Sequence, residues 1–113
     1  MMSGDAAAKI AARLTELWRT SRPTILERMT VLRSACDSLT QNPLNTDARA
    51  EGREAAHKLS GVLGVFGLPQ GSEIAAAIEF QLKSGEPLTP EDLSTLRDQI
   101  ADLEAVVASR SET

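Results

Sequence analysis

Apolar residues recur at steps of three and four positions along most of this chain, which is the spacing of one face of an α-helix. The regularity is greatest near the end of the chain, in Leu93, Leu96, Ile100, Leu103 and Val107. No segment alternates apolar and polar residues in the way that a half-buried strand does. The sequence therefore predicts an all-α protein.

Residues that cap or break helices divide this pattern into five segments. Pro23 lacks a backbone N–H and is expected in a first turn, so with Ser21 as its cap it predicts a break between a helix over residues 5–19 and a second helix from about residue 22. The next helices are expected from Thr46 to about Gly67, from Gly71 to Lys83 and from Pro90 past Val107.

Short connections make successive helices antiparallel neighbours. We therefore expect residues 22–108 to form an antiparallel four-helix up-down bundle, with the helix over residues 5–19 as an additional N-terminal helix packed against it. A chain of 113 residues has the size of one domain, so residues 1–113 are expected to form a single unit.

The charge balance argues against a nucleic-acid partner. Twelve Lys and Arg residues against sixteen Asp and Glu residues give a net charge of −4, the wrong sign for a protein that neutralises phosphates.

The first five residues do not resemble a signal peptide, and no apolar run approaches the roughly 18 residues of a membrane span. Cys36 is the only cysteine and is expected in the core. One cysteine and one histidine are too few ligands for a zinc site. A cytoplasmic protein without a metal or membrane partner is expected.

His57 is the only histidine, and its helical position indicates that it faces outwards. At about 100° per residue, the apolar residues of its helix lie on the opposite side, among them Ala55, Leu59, Val62 and Phe66. The alternative is an ordinary surface histidine without a function.

Two glycines lie on the same face as His57, one and two turns after it. Each is expected to cost about 1 kcal/mol relative to alanine inside a helix, so Gly61 and Gly64 need a reason. Their missing side chains would clear space for a partner that approaches the imidazole. Close packing between helices is the alternative explanation.

The residues around His57 resemble the signature of histidine-containing phosphotransfer (HPt) domains. The matching residues are Ala56-His57-Lys58-Leu59-Ser60-Gly61, then Phe66-Gly67, then Ile78-Glu79, and the resemblance extends roughly from Pro23 to Val107. It implies a phosphocarrier that accepts a phosphoryl group on Nε2 of His57 from an aspartate of a receiver domain and donates it to another. It implies no kinase activity and no cofactor in this chain, with Mg²⁺ on the receiver. The implied partners are response-regulator receiver domains and hybrid sensor kinases.

The sequence departs from the family pattern at two positions. Ser60 stands where the family usually has lysine, and Gly71 where an apolar residue is common. Arg53, at about 40° from His57, and Lys58, at about 100°, are the candidates for the missing positive charge, while Ser60 retains a hydroxyl donor. Alternatively, Arg53 and Lys58 are ordinary charged residues on a solvated helix face.

The resemblance also implies that the helix of Glu79 and Lys83 flanks the docking surface, which would include Gly61 and Gly64. Glu79 and Lys83 are spaced to form a surface ion pair with each other.

Two other functions remain open. One is a regulatory bundle that binds a receiver or kinase without carrying phosphate, which the absent lysine favours. The other is a structural bundle that dimerises through an exposed stripe such as Leu14, Leu17 and Trp18. A monomer is the expectation under the phosphocarrier hypothesis.

Overall fold

The computed structural model describes residues 4–110; residues 1–3 and 111–113, the two ends of the expected domain, lie outside this range. The described chain consists of four helices and contains no strand. They are α1 (Gly4–Gln41), α2 (Thr46–Val65), α3 (Pro69–Lys83) and α4 (Pro90–Ser109). The all-α prediction is confirmed.

The four helices form an antiparallel bundle in which each helix packs against two others. Helices α1 and α3 each pack against α2 and α4, while within residues 4–110 the backbones of the diagonal pairs lie farther apart. The apolar stripes meet in one core, whose fully buried members include Ile25, Leu39, Leu59, Leu63, Ile78, Ile100 and Leu103. None of these helices combines the length and apolar character that a membrane span requires.

The expected additional N-terminal helix is wrong, because α1 continues through Pro23 without a break. Pro23 and Arg19 are both exposed, so water can satisfy the carbonyl oxygen that loses its hydrogen bond to residue 23. Burial on both sides of the proline favours the continuous helix, since Trp18 and Ile25 are completely buried. Trp18 makes an edge-to-face contact with Phe66, with 5.3 Å between the ring centroids.

The start of α3 also differs from the expectation. The helix begins at Pro69, which occupies its first turn, whereas Gly71 was the expected start. Gly71 is buried where α3 approaches its neighbours, and a Cβ there would lie 3.1 Å from Leu63 Cδ1 and 3.2 Å from Val106 Cγ1. This close approach explains why glycine replaces the apolar residue that is common in the family.

Candidate functional site

His57 lies in the middle of α2 with its side chain 72% exposed. Leu59 and Leu63, on the opposite side of α2, are completely buried, and Phe66 is nearly so, while Val62 is half-buried. The expected outward orientation of His57 is therefore confirmed. Its cause is the helical periodicity, which commits one side of α2 to the core.

Glu79 on α3 contacts the imidazole of His57 across the gap between the two helices. Its Oε2 lies 2.9 Å from Nδ1 of His57. An ionised carboxylate can only accept a hydrogen bond, so Nδ1 is the donor. In the neutral imidazole the other nitrogen, Nε2, then carries the free lone pair. The expected ion pair between Glu79 and Lys83 is replaced by this contact.

Two hydrogen bonds set the register of α2 against α3 on either side of this contact. Arg49 of α2 donates from Nε to the backbone carbonyl of Leu82 at 2.8 Å, which satisfies an acceptor in the last turn of α3. Near the other end, Ser72 Oγ donates to the carbonyl of Ser60 at 2.6 Å. Because both helices are held at these points, Glu79 is brought level with His57.

His57 and Glu79 line a shallow recess of about 440 Å³ between α2 and α3, which we call the His57 recess. Two cations also line it, Arg53 from α2 and Lys83 from α3, together with Ala50 and Glu54. Arg53 precedes His57 by one turn and Lys83 follows Glu79 by one turn. The recess therefore places one cationic side chain on each helix near the imidazole.

Lys58, the other candidate cation, lies outside the His57 recess. Its Nζ lies 2.9 Å from Oε1 of Glu54, and this contact lowers the pKa of the Glu54 carboxyl from its ordinary value, first through the hydrogen bond and then through the charge. Lys58 lines a separate depression between α1 and α2 with Arg28 and Val31. It is therefore directed towards α1, on the other side of α2.

The remaining predicted site residues lie on the exposed part of α2. A Cβ added to Gly61 would meet nothing within 4 Å, so the space above it is open. A Cβ on Gly64 would lie 3.7 Å from Ser72 Oγ, an ordinary contact with α3. Ser60 is half-buried and engages α3 through its carbonyl. Thus Gly61 is open to an approaching partner, while Gly64 also borders α3.

Sequence reasoning missed two features of this site: the contact between Glu79 and His57, and the position of Lys83 in the His57 recess. The Ile78-Glu79 pair in the motif was the available signal for the first. The resemblance placed the helix of Lys83 beside the docking surface, but the position of Lys83 in the recess depends on the register of two helices, which the spacing of residues does not give. Among the described residues, no three His, Cys, Asp or Glu side chains come close enough to hold a metal ion.

The chain is similar to known proteins over most of its length. The profile of the Hpt domain matches residues 13–106. Protein RcaC of Microchaete diplosiphon is 29% identical over 104 residues, which cover 92% of this chain and 16% of that protein, so the chain spans about a sixth of its relative. No solved structure matches the chain significantly. Because the profile covers most of the chain, this protein belongs to the Hpt domain family, whose members are phosphotransfer intermediates that interact with receiver domains in phosphorelays.

Proposed function

We propose that this protein carries a phosphoryl group on Nε2 of His57 and exchanges it with aspartates of receiver domains. The observation that carries the proposal is the hydrogen bond from Nδ1 of His57 to Glu79 on a side chain that is mostly exposed. It holds the proton on the inner nitrogen and leaves the lone pair of Nε2 directed away from Glu79. A receiver can approach that atom from solvent.

The transfer step balances with the groups that two proteins bring. The Nε2 lone pair attacks the phosphorus of an aspartyl phosphate, the bond between phosphorus and the aspartate oxygen breaks, and the aspartate leaves as a carboxylate. The imidazole keeps its proton on Nδ1 and becomes positively charged as the new N–P bond forms. Glu79 then faces an imidazolium, so its carboxylate stabilises the product. The same steps in the opposite direction transfer the phosphoryl group from His57 to an aspartate of a second receiver.

We assign charge stabilisation of the phosphoryl group to Arg53 and Lys83. Both line the His57 recess, and neither forms an ion pair with another residue in the range 4–110. Lys58 is a weaker candidate because Glu54 holds its ammonium group towards α1. The phosphoryl oxygens need positive charge to offset both their own charge and that of Glu79. Any Mg²⁺ required by the reaction belongs to the receiver.

The docking surface that we propose surrounds His57 on α2 and α3. It includes the open space above Gly61, the edge at Gly64 and the exposed side chain of Lys83. The lack of bulk at Gly61 supports this assignment, because a receiver must bring its aspartate to the imidazole.

The test is phosphoryl transfer from receiver domains labelled with radioactive acetyl phosphate. The wild-type protein is expected to acquire acid-labile, alkali-stable label, and His57→Gln is expected to acquire none. The exposed side chain contributes little to packing, so the thermal stability of the variant should change by less than about 0.5 kcal/mol. Label on a folded His57→Gln protein would mean that another residue is the acceptor.

The same experiment tests the regulatory alternative. A phosphate-independent regulator would bind receivers without acquiring label, and binding would survive in His57→Gln. The available observation that favours it is Ser60 in place of the usual lysine, for which the cations of the His57 recess offer a replacement.

A further inference from the structure

The first part of α1 extends beyond the bundle. Trp18 is the first buried residue of α1, and it contacts Phe66 and Arg110, the residues that directly follow α2 and α4. The helical residues before it, 4–17, therefore project from the end of the bundle by about 21 Å at 1.5 Å per residue. We call this segment the overhang. Its helix needs no separate nucleation because it continues α1.

The overhang is amphipathic, and none of its residues is buried. At about 100° per residue, one arc of about 120° contains only Ala7, Ile10, Ala11, Leu14 and Leu17 in line with the buried Trp18. The opposite side contains all four charged residues of the overhang, namely Asp5, Lys9, Arg13 and Glu16. The core-facing stripe of α1 thus continues past the core.

The large apolar side chains on this arc are exposed. Ile10 is 57% exposed, Leu14 37% and Leu17 44%. Trp18, by contrast, is completely buried against Phe66 and cannot belong to an exposed stripe. An uncharged row of exposed branched side chains beside a charged face marks an interaction surface.

We propose that the overhang is a self-association surface on which a second copy of this chain packs in the antiparallel direction. The order of large and small residues along the arc supports this pairing. If Leu14 of one copy lies level with Ala7 of the other, then Ile10 lies level with Ala11 and Leu17 with Gly4. Every large side chain therefore meets a residue with a small side chain or none, which allows the two helices to approach closely.

In this register Gly4 of each copy lies level with Leu17 of the other copy, one residue before the first buried residue of α1, Trp18. The two bundles then lie at opposite ends of the paired helices. His57 is part of neither the overhang nor the pairing, so the inference is independent of the proposed phosphocarrier function.

The charge pattern favours a second copy over a lipid surface. Helices that lie on membranes usually have a polar face rich in Lys and Arg. The polar face of the overhang has two basic and two acidic residues, a balance that gives little attraction to anionic lipid. Three large side chains per copy offer less area than the roughly 800 Å² per partner of a standard interface, so the dimer is expected to dissociate on dilution.

The first test is sedimentation velocity from micromolar to millimolar protein, with three forms of the chain. The wild type is expected to shift from monomer to dimer as its concentration rises, and Leu14→Glu is expected to remain monomeric. Ala12→Glu adds the same charge on the opposite, already charged side of the helix and should dimerise like the wild type. Far-UV circular dichroism checks that all three retain their helices.

The second test fixes the direction of pairing by oxidative cross-linking. A chain carrying both Ala7→Cys and Leu14→Cys is expected to form a covalent dimer, because these positions are level in the antiparallel register and lie two turns apart within one chain. Ala7→Cys alone would link only a parallel pair. Cys36 is buried and does not interfere.

Three results would overturn the proposal. They are a wild-type protein that stays monomeric throughout the concentration range, a dimer that survives Leu14→Glu, and cross-linking by Ala7→Cys alone. Binding of a monomeric wild type to vesicles of phosphatidylcholine and phosphatidylglycerol, lost in Leu14→Glu, would assign the face to lipid and would also overturn it.

Discussion

Oε2 of Glu79 lies 2.9 Å from Nδ1 of His57, so a carboxylate from one helix orients the imidazole of its neighbour. Replacing Glu79 with Gln keeps a hydrogen-bond acceptor but removes the charge that faces the phosphorylated imidazolium. A charge-assisted hydrogen bond exceeds a neutral one by about 1 kcal/mol, so we expect transfer to His57 to slow by about fivefold to tenfold. Rapid-quench measurements with a phosphorylated receiver give the rate.

The control for this variant is Glu79→Ala, which also removes the acceptor and should slow transfer further. Both variants should unfold at nearly the wild-type temperature, because the contact is close to solvent. Wild-type rates in both variants would contradict the assigned role of Glu79.

The positive charges of the His57 recess can be separated from the neighbouring charge on Lys58. Arg53→Ala combined with Lys83→Ala is expected to slow transfer by about tenfold, as each exposed cation contributes up to about 1 kcal/mol. Lys58→Ala should change the rate by less than about twofold, because Glu54 holds that lysine away from the recess. A larger effect of Lys58→Ala than of the double substitution would reverse this assignment.

Adding a side chain at Gly61 and at Gly71 should change the stability of the bundle in opposite directions. Gly61→Leu places its side chain in open space, so thermal melts should show a gain of up to about 1 kcal/mol while the transfer rate falls. Gly71→Ala places a Cβ against Leu63 and Val106, so it should destabilise the bundle by about 1–3 kcal/mol. If Gly61→Leu transfers at the wild-type rate, the space above Gly61 is not part of the docking surface.

Trp18 and Leu17 are neighbours with different expected contributions to stability. Trp18→Ala removes a completely buried ring that contacts Phe66 and should cost about 3–5 kcal/mol in chemical denaturation. Leu17→Ala, at a concentration where the chain is monomeric, should change stability by about 0.5 kcal/mol or less. Equal effects of the two substitutions would mean that the bundle does not end at Trp18.

Burial in the core raises the pKa of the Cys36 thiol. The unfolded chain therefore loses this proton at a lower pH than the folded chain, and unfolding becomes easier as the pH rises above the ordinary cysteine value of about 8.5. Denaturation midpoints between pH 7 and pH 10 should fall more in the wild type than in Cys36→Ala. There is no tyrosine in this chain to add a similar dependence. Parallel curves for the two proteins would show that the thiol titrates alike in both states.

Local periodicity was sufficient to predict much of this protein. The outward position of His57, the buried side of α2 and the open space at Gly61 all depend on angles within a single helix, which the spacing of residues determines. The family resemblance depended on the same local segments. For this reason the all-α fold and the Hpt family could both be predicted before any contact between helices was known.

The tertiary structure decided what one helix presents to another. Pro23 is compatible with a helix break on local grounds, but burial of Trp18 and Ile25 on either side of it favours one continuous helix. The contact of Glu79 with His57 and the place of Lys83 in the recess depend on the register of α2 against α3, which hydrogen bonds from Arg49 and Ser72 set. Such register is a property of packed pairs, so the spacing of residues within either helix does not contain it.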